Sequence, residues 1–330
     1  MRVGIVGAGT MGTVHAGSHQ EAGHQVAAIY DLRPEAAAVN AARVGATVAP
    51  TFDALLSDPT IELIDICVPT PYHREYVEKA ARAGKHVLCE KPLAPTLADA
   101  RAMIEVCREA GVHFYVAHVL RFFPEYERAR NLVLEGKVGE PGVIRTTRGG
   151  IFPTGWDDWY ADYARSGTLT LDMIIHDFDW LRWTFGEVER VYAKSLSTRT
   201  SERLDYALVT LRFASGAIAH VEGTWSHSGF RYGFEVTGSK GLIDFDSAKI
   251  QPVVVQRRAA EAGVTGVAVP ESPLRESPYT TEIRHFGRCI KQGETPIVTA
   301  YDAYKAVEIS LAALESARTG RPVNISKEAF

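Results

Sequence analysis

Arg2-Val3-Gly4-Ile5-Val6-Gly7-Ala8-Gly9-Thr10-Met11-Gly12 joins a short apolar run to three glycines spaced G-x-G-x-x-G. Read outward from it, Arg2–Val6 is a strand, a helix opens within the motif and runs to about Glu21, and Gln25–Tyr30 is a second strand ending at Asp31. A strand before, a helix after and an acidic residue 19 positions beyond Gly12 give the motif the context of a dinucleotide-binding turn. Gly7 makes the tight turn, Gly9 admits a pyrophosphate close to the backbone, and Gly12 lets helix and strand approach. The helix N-terminus, at Thr10 and Met11, offers unpaired N–H groups and partial positive charge to the phosphates. Asp31 can accept both adenosine ribose hydroxyls but would repel a 2′-phosphate, so the expected cofactor is NAD rather than NADP. Arg33, two residues on, is the group that could offer a phosphate a partner.

The alternation continues. A helix near 34–43, a short strand near Thr47, a small helix at 52–56 and a strand at Leu63–Val68 follow in turn. Pro69-Thr70-Pro71 breaks that strand before a helix from about Tyr72 to Ala83, which Gly84 stops. His86–Cys89 is the next strand, and it runs into Glu90-Lys91-Pro92, where the proline removes a backbone donor. A helix over Leu97–Ala110 and a strand at Val112–Ala117 complete the expected fold, a Rossmann doubly wound parallel sheet with its ligand crevice along the C-terminal edge. Pro69, Thr70, His73, Glu90 and Lys91 lie on that edge and are the candidates for cofactor contact. His73 either touches the cofactor or caps its helix, and the pattern leaves both open. Lys91 is likewise either a rim group with a task or a solvated one.

A chain of 330 residues suggests two domains, placed at 1–120 and 121–330. Composition is ordinary, 46% hydrophobic and 23% charged, and a net charge of −4 argues against a nucleic-acid groove. Met1 runs directly into a strand, so neither a secretory leader nor a membrane span is expected. Cys67, Cys89, Cys107 and Cys289 have no CxxC spacing and read as buried thiols of a reducing cytoplasm. With no CxxC, no ligand-spaced histidines and no HExxH, no metal is expected.

The second half has a different texture. A helix reaches from about Leu120 to Glu135, and Ile144–Arg148 is a strand. Gly155-Trp156-Asp157-Asp158-Trp159-Tyr160 then places two tryptophans and two carboxylates in a short loop. Trp156 and Asp157 suit a polyhydroxylated ligand, the ring covering C–H faces and the carboxylate accepting hydroxyls, although a tryptophan there also serves as a loop anchor. From Thr170 the period is helical, with Leu171, Ile174, Ile175, Phe178, Leu181 and Phe185 as the buried stripe. The i,i+4 spacing of that helix stacks Asp172 under His176, which suits proton transfer. Strands at 188–194, 206–213, 217–225, 231–237, 242–246 and 252–255, with Gly turns between them, make the second domain α+β with a large open, mostly antiparallel sheet. Tyr232 and His227 lie on or beside these strands with undetermined parity. A polar excursion follows over 257–278, and helices at 279–291 and 301–319 end the chain. The outer face of such a sheet wants a partner, so a homodimer or homotetramer is expected.

Gly7-Ala8-Gly9-Thr10-Met11-Gly12, Cys67-Val68-Pro69-Thr70-Pro71-Tyr72-His73 and the GKHVLCEKPLA run at 84–94 resemble the glucose-fructose oxidoreductase/inositol dehydrogenase (Gfo/Idh/MocA-type) family of sugar and polyol dehydrogenases. The likeness is strong to residue 92, moderate through Asp179 and architectural beyond. It implies that the Glu-Lys-Pro loop lies between nicotinamide and substrate, with Lys91 reaching the reacting oxygen. It also implies that Arg121 lines the mouth of the substrate pocket, with His118 a weaker companion, and that Asp172 and His176 match the family's second signature. Relatives usually carry a triple glycine before that signature and a small residue within it, whereas this chain has Ser166-Gly167-Thr168 and Met173-Ile174-Ile175. The implied activity is NAD-linked oxidation of a secondary alcohol on a cyclic polyol or sugar. In it His176 accepts the proton, Asp172 orients His176, Lys91 stabilises charge on oxygen, and Arg121, Trp156, Asp157 and Tyr232 contact substrate. Its rivals are an NADPH-dependent keto-sugar reductase of the same family and a non-catalytic dinucleotide-binding regulator.

Overall fold

The computed structural model describes residues 1–199, 204–249 and 276–326. They form two compact units, Met1–Phe123 with Glu271–Val307 and Pro124–Pro270 with Glu308–Phe330.

In the first unit, β1 (Arg2–Val6), α1 (Thr10–Glu21), β2 (Gln25–Tyr30), α2 (Pro34–Val44), β3 (Thr47–Val48), α3 (Phe52–Ser57), β4 (Leu63–Ile66), α4 (His73–Arg82), β5 (His86–Glu90), α5 (Leu97–Glu109) and β6 (Phe114–Ala117) alternate as the sequence predicts. The strands pair in parallel in the order β3-β2-β1-β4-β5-β6. The order reverses between β1 and β4, and that switch point is where an open α/β sheet has its crevice. The central strands are buried on both faces, so they read as continuous apolar runs: Val3, Ile5, Leu63, Ile64, Ile66, Val87 and Leu88 are almost wholly buried. Thr51 caps α3 by accepting the Ala54 amide, and Thr96 caps α5 by accepting that of Asp99.

The second unit contains α6 (Pro124–Leu134), β7 (Pro141–Ile151), α7 (Tyr163–Ser166), α8 (Thr168–Asp172), α9 (Ile175–Phe185), β8 (Val188–Arg199), β9 (Leu204–Phe213), β10 (Ile218–Thr224), β11 (Ser226–Gly238) and β12 (Gly241–Asp246). After it α10 (Pro278–Gln292) belongs to the first unit, α11 (Ala300–Thr319) is shared by the two, and β13 (Val323–Asn324) closes the sheet. The seven strands run in the order β12-β11-β7-β10-β9-β8-β13 and are antiparallel except for the parallel pair β10–β7. The strand expected at 252–255 lies outside the described residues, as does most of the excursion at 257–278.

Strand alternation gives this sheet two unlike faces. Ile144, Thr146 and Arg148 of β7 are buried, whereas Arg145, Thr147 and Ile151 are exposed. The inner face packs on an aromatic core in which Tyr126 meets Trp180 edge-on at 5.1 Å and Phe234 at 4.9 Å. Trp180 Nε1 donates to the Tyr126 carbonyl at 3.1 Å, so its one polar atom is satisfied.

α10 returns to the first unit. Phe286 stacks on Tyr115 at 4.7 Å, and Ile283, Phe286 and Cys289 join the core of Val3, Ile5, Val26 and Ile29. Its N-terminal turn is tied to the end of α1, where Thr280 donates to Glu21 at 2.7 Å.

The single helix expected from Thr170 is instead two, α8 and α9, separated at Met173 and Ile174. The Ile174 amide reaches back to the Leu169 carbonyl at 3.0 Å, one residue further than the α-helical ladder allows. Close packing on the sheet explains the break. A Cβ added to Gly223 of β10 would lie 2.4 Å from Ile174 and 2.7 Å from Leu169, so the chain is pressed onto bare backbone there. Asp172 therefore ends one helix and His176 sits in the first turn of the next, and the regular i,i+4 stacking assumed from sequence does not apply.

Candidate active site

The glycine turn is built by contacts that differ at each glycine. Gly7 has φ +97°, and a Cβ there would strike the Cys67 carbonyl oxygen at 2.5 Å, so only glycine fits between β1 and the end of β4. A Cβ on Gly12 would meet the Gly7 carbonyl oxygen at 1.9 Å. Gly9 faces open space, with nothing within 4 Å of an added Cβ. It is the exposed member, and Thr10 and Met11 open α1 directly after it. The loop is held by Asn40, whose Nδ2 donates to the Ala8 carbonyl at 3.1 Å, and by Thr13, whose hydroxyl donates to the Gly9 carbonyl at 2.9 Å.

Asp31 stands at the tip of β2 and accepts the Ala8 amide at 2.7 Å and the Arg33 amide at 2.8 Å. Arg33 folds back on it, Nε to Oδ1 at 3.1 Å. Burial opposes ionisation of Asp31, but these donors outweigh it and hold the carboxyl below its usual range. Approachable backbone at Gly9, a helix N-terminus and a fixed carboxylate at the strand tip together fit a dinucleotide.

The crevice edge continues through Pro69 and the buried Thr70, which starts a short turn after β4. His73 follows as the first residue of α4, but its ring makes no cap. Nδ1 lies 2.9 Å from the Pro92 carbonyl oxygen and Nε2 2.9 Å from that of Val68, which ties the loop after β4 to the loop after Lys91. Glu90 is buried: its Oε2 accepts the Lys91 amide at 3.0 Å, and its Oε1 lies 2.9 Å from His15 Nε2. Lys91 is partly exposed, at the end of β5. The Lys91-Pro92 turn is thus gripped through Glu90 on one side and His73 on the other.

Behind Glu90 runs a buried polar chain. His15 Nδ1 is 2.9 Å from Asp65 Oδ2, which also meets His19 Nε2 at 2.9 Å, and His19 Nδ1 is 3.0 Å from His24 Nδ1. Burial opposes charge on His15, but the Asp65 carboxylate outweighs it and raises the imidazole well above its ordinary pKa. Burial likewise opposes ionisation of Asp65, but His15 and His19 hold that carboxyl far below the usual range. His15, Asp65 and Cys67 carry metal-type donor atoms within 4.8 Å of one another. The Cys67 thiol, however, is pushed up to about 12 by burial and by Asp65, and Asp65 is already shared by two imidazoles.

His15, His19, Asp65 and Asn40 have no place among the sequence expectations, although a signal existed. Asp65 is a lone carboxylate inside Leu63-Ile64-Asp65-Ile66, a strand buried on both faces, and such a group demands partners. His15 and His19 on α1, at i,i+4, supply them.

Arg121 is 2% exposed, and Nη1 donates to the Ile297 carbonyl at 2.7 Å with Asp302 Oδ2 at 3.4 Å. The guanidinium joins the segment after β6 to the one before α11, and His118 is buried beside it in sequence. In the second unit, Trp159 is the loop anchor at 7% exposed, while Trp156 stands out at 47%. Asp157 is exposed with φ +57° and meets Arg165 at 3.2 Å. Tyr232 donates to Glu125 at 2.8 Å beside the buried pair of Arg148 and Asp177, whose Nε–Oδ2 distance is 2.6 Å. Asp172 is buried and His176 partly so.

A parallel sheet carrying a dinucleotide cradle and, at the end of β5, a lysine in a turn held on both flanks, followed along the chain by an open mostly antiparallel sheet, is the architecture of a two-domain nicotinamide-linked oxidoreductase. Residues 1–118 match the model of the GFO_IDH_MocA oxidoreductase family with its NAD-binding Rossmann fold, and residues 126–244 match the GFO/IDH/MocA C-terminal domain. The chain belongs to this family. It is 33% identical over 338 residues to myo-inositol 2-dehydrogenase of Thermotoga maritima, covering 99% of each chain. Among solved structures it resembles a putative myo-inositol dehydrogenase from Sinorhizobium meliloti 1021, with TM-score 0.85 and 29% identity over 99% of this chain and 100% of the other. It also resembles GenD2 from gentamicin A biosynthesis in complex with NAD, with TM-score 0.89 and 26% identity over 99% and 96%.

Proposed function

We propose that the protein uses NAD to oxidise a secondary alcohol on a cyclic polyol or sugar, with an inositol as the first substrate to try. The observation that carries this is the Glu90-Lys91-Pro92 turn, which contacts to both Glu90 and Pro92 hold at the C-terminal end of β5. A loop fixed on both flanks suits a lysine that must meet a developing charge at a set position. Asp31, with Arg33 folded onto it, supports NAD over NADP. The names of the inositol dehydrogenases to which the chain is similar support the substrate class.

In this reading Gly9, Thr10 and Met11 hold the pyrophosphate and Asp31 the adenosine ribose. When bound, the nicotinamide supplies the hydride acceptor. His176 removes the hydroxyl proton, Asp172 orients it, and Lys91 stabilises the negative charge that grows on oxygen. Trp156 and Asp157 are the proposed contacts to the ring and hydroxyls of the substrate, with the buried Arg121 and the half-buried Tyr232 shaping the site. A homo-oligomer in the cytoplasm is part of the same proposal. The test is a screen of inositols, free sugars and phosphorylated sugars with NAD and with NADP, followed by reduced-nicotinamide absorbance. Turnover of a cyclic polyol with NAD supports the proposal. Activity confined to keto-sugars with NADPH overturns it in favour of a reductase.

A further inference from the structure

His176 is flanked by two residues that a single rung of the second sheet holds. Gly223 of β10 and Arg148 of β7 are register partners on neighbouring parallel strands, and both are buried. Gly223 receives Ile174, two residues before His176, so closely that an added Cβ would lie 2.4 Å from the Ile174 side chain. Arg148 takes Asp177, the residue after His176, with Nε donating to Oδ2 at 2.6 Å and Nη2 to Oδ1 at 3.3 Å. Nη2 also donates to the Tyr126 hydroxyl at 3.2 Å. The Ile174 carbonyl joins the two holds, because it accepts the amides of Asp177 at 3.0 Å and Phe178 at 3.1 Å. The backbone that carries His176 thus runs between a steric stop and a two-point fork.

Stability is a poor reason for the fork. Arg148 is 4% exposed and Asp177 wholly buried, and in such a pair desolvation offsets the attraction, so that apolar side chains of like volume often serve as well. Geometry is a better reason. A guanidinium that meets a carboxylate at two points fixes direction as well as distance. The break at Met173 and Ile174 means that α9 does not simply continue α8. Arg148 and Gly223 give the first turn of α9 its direction from the sheet instead.

We infer that Arg148 and Gly223 are positioning residues for the proton acceptor: Arg148 acts through Asp177 and Gly223 through Ile174, so that one rung of the sheet sets the His176 ring. This rests on the reading of His176 as the base.

The experiment removes each hold separately. Arg148→Met with Asp177→Leu takes away both charges together and leaves no unpaired ion in the core. This double variant should melt close to the parent and bind NAD as tightly. Its kcat with an inositol and NAD should fall about 10- to 100-fold, the scale of a misplaced catalytic group. Gly223→Ala leaves the fork intact but pushes on Ile174, and should lower kcat by about the same factor. Arg148→Lys keeps the charge without the two-point contact, and decides the matter if the double variant does not fold; its kcat should fall about 3- to 10-fold. In each variant the His176 ring resonance, assigned by its loss in His176→Ala, should shift or broaden, a readout that needs no substrate. In a His176→Ala background each change should slow turnover by less than about threefold, since nothing is left to position. Losses that persist in that background, or that follow melting temperature with the His176 resonance unmoved, would mean packing alone and overturn the inference. So would parent-like kcat in these variants while His176→Ala is slow, which sinks this inference and spares the mechanism. Full turnover by His176→Ala would remove the mechanism and this inference together.

Discussion

Asp31 accepts the Ala8 amide at 2.7 Å, so the tip of β2 and the glycine turn after β1 form one unit. The carboxylate that is to meet the ribose is thereby fixed to the loop that is to meet the phosphates. NAD should therefore bind more tightly than NADP, by titration of both reduced forms. Asp31→Ser should lose about 10-fold or more in NAD affinity, as expected for a charge-assisted hydrogen bond, while NADP loses less. Tighter NADP binding by the parent would instead make Arg33 a phosphate ligand.

The mechanism predicts different failures at Lys91 and His176. Lys91→Ala should lower turnover by about 10²-fold or more and leave NAD affinity nearly intact. His176→Ala should cost about 10²- to 10⁴-fold, and Asp172→Asn an intermediate loss with a shifted pH profile. Single-turnover kinetics would isolate hydride transfer. Hydride transfer by His176→Ala at the parent rate across neutral pH would exclude it as the base.

Asp205 gives a prediction in stability. It is 1% exposed and accepts the Leu169 amide at 3.0 Å, but burial outweighs that bond and lifts the carboxyl from 3.8 to about 6. The folded state then holds this proton more tightly than the unfolded one, so its contribution is fully present below the unfolded value and is lost as pH rises to about 6. The loss is on the order of 2–3 kcal/mol. Asp205→Asn removes the ionisation, so its melting temperature relative to the parent should climb between pH 4 and pH 7. A flat difference across that range would refute the assignment.

The outer face of the second sheet predicts assembly. Tyr192 and Leu196 on β8, Leu208 on β9, Leu242 on β12 and Ile151 on β7 are exposed on the side away from the aromatic core. A self-associating face is isologous, so sedimentation at micromolar concentration should give a dimer or tetramer. Leu196→Lys with Leu208→Lys should shift it toward monomer without lowering the melting temperature of the isolated chain. A clean monomer of the parent would count against this face.

The first unit was legible because its signals are local: the glycine spacing, the acidic residue at the end of β2 and the proline after Lys91 each act within a few residues of themselves. What escaped depends on partners far along the chain. Gly223 forces the break between α8 and α9 from some fifty residues away, and nothing at Met173 or Ile174 announces it. His73 looks like a helix-start residue, yet its ring serves carbonyls of Val68 and Pro92. Asp65 was visible as an anomaly in an apolar strand, but its partners on α1 become apparent only once the sheet is formed.

The return of α10 to the first unit has a consequence for the nascent chain. Ile283, Phe286, Cys289 and Val298 seal a core whose other buried members all precede residue 123, and Tyr115 waits for Phe286 to cover it. At ribosomal rates of roughly 5–20 residues per second, the sheet leaves the exit tunnel roughly 8 to 30 seconds before that helix. During translation, then, the nucleotide half carries an open hydrophobic seam, and it is closed only when synthesis is nearly finished.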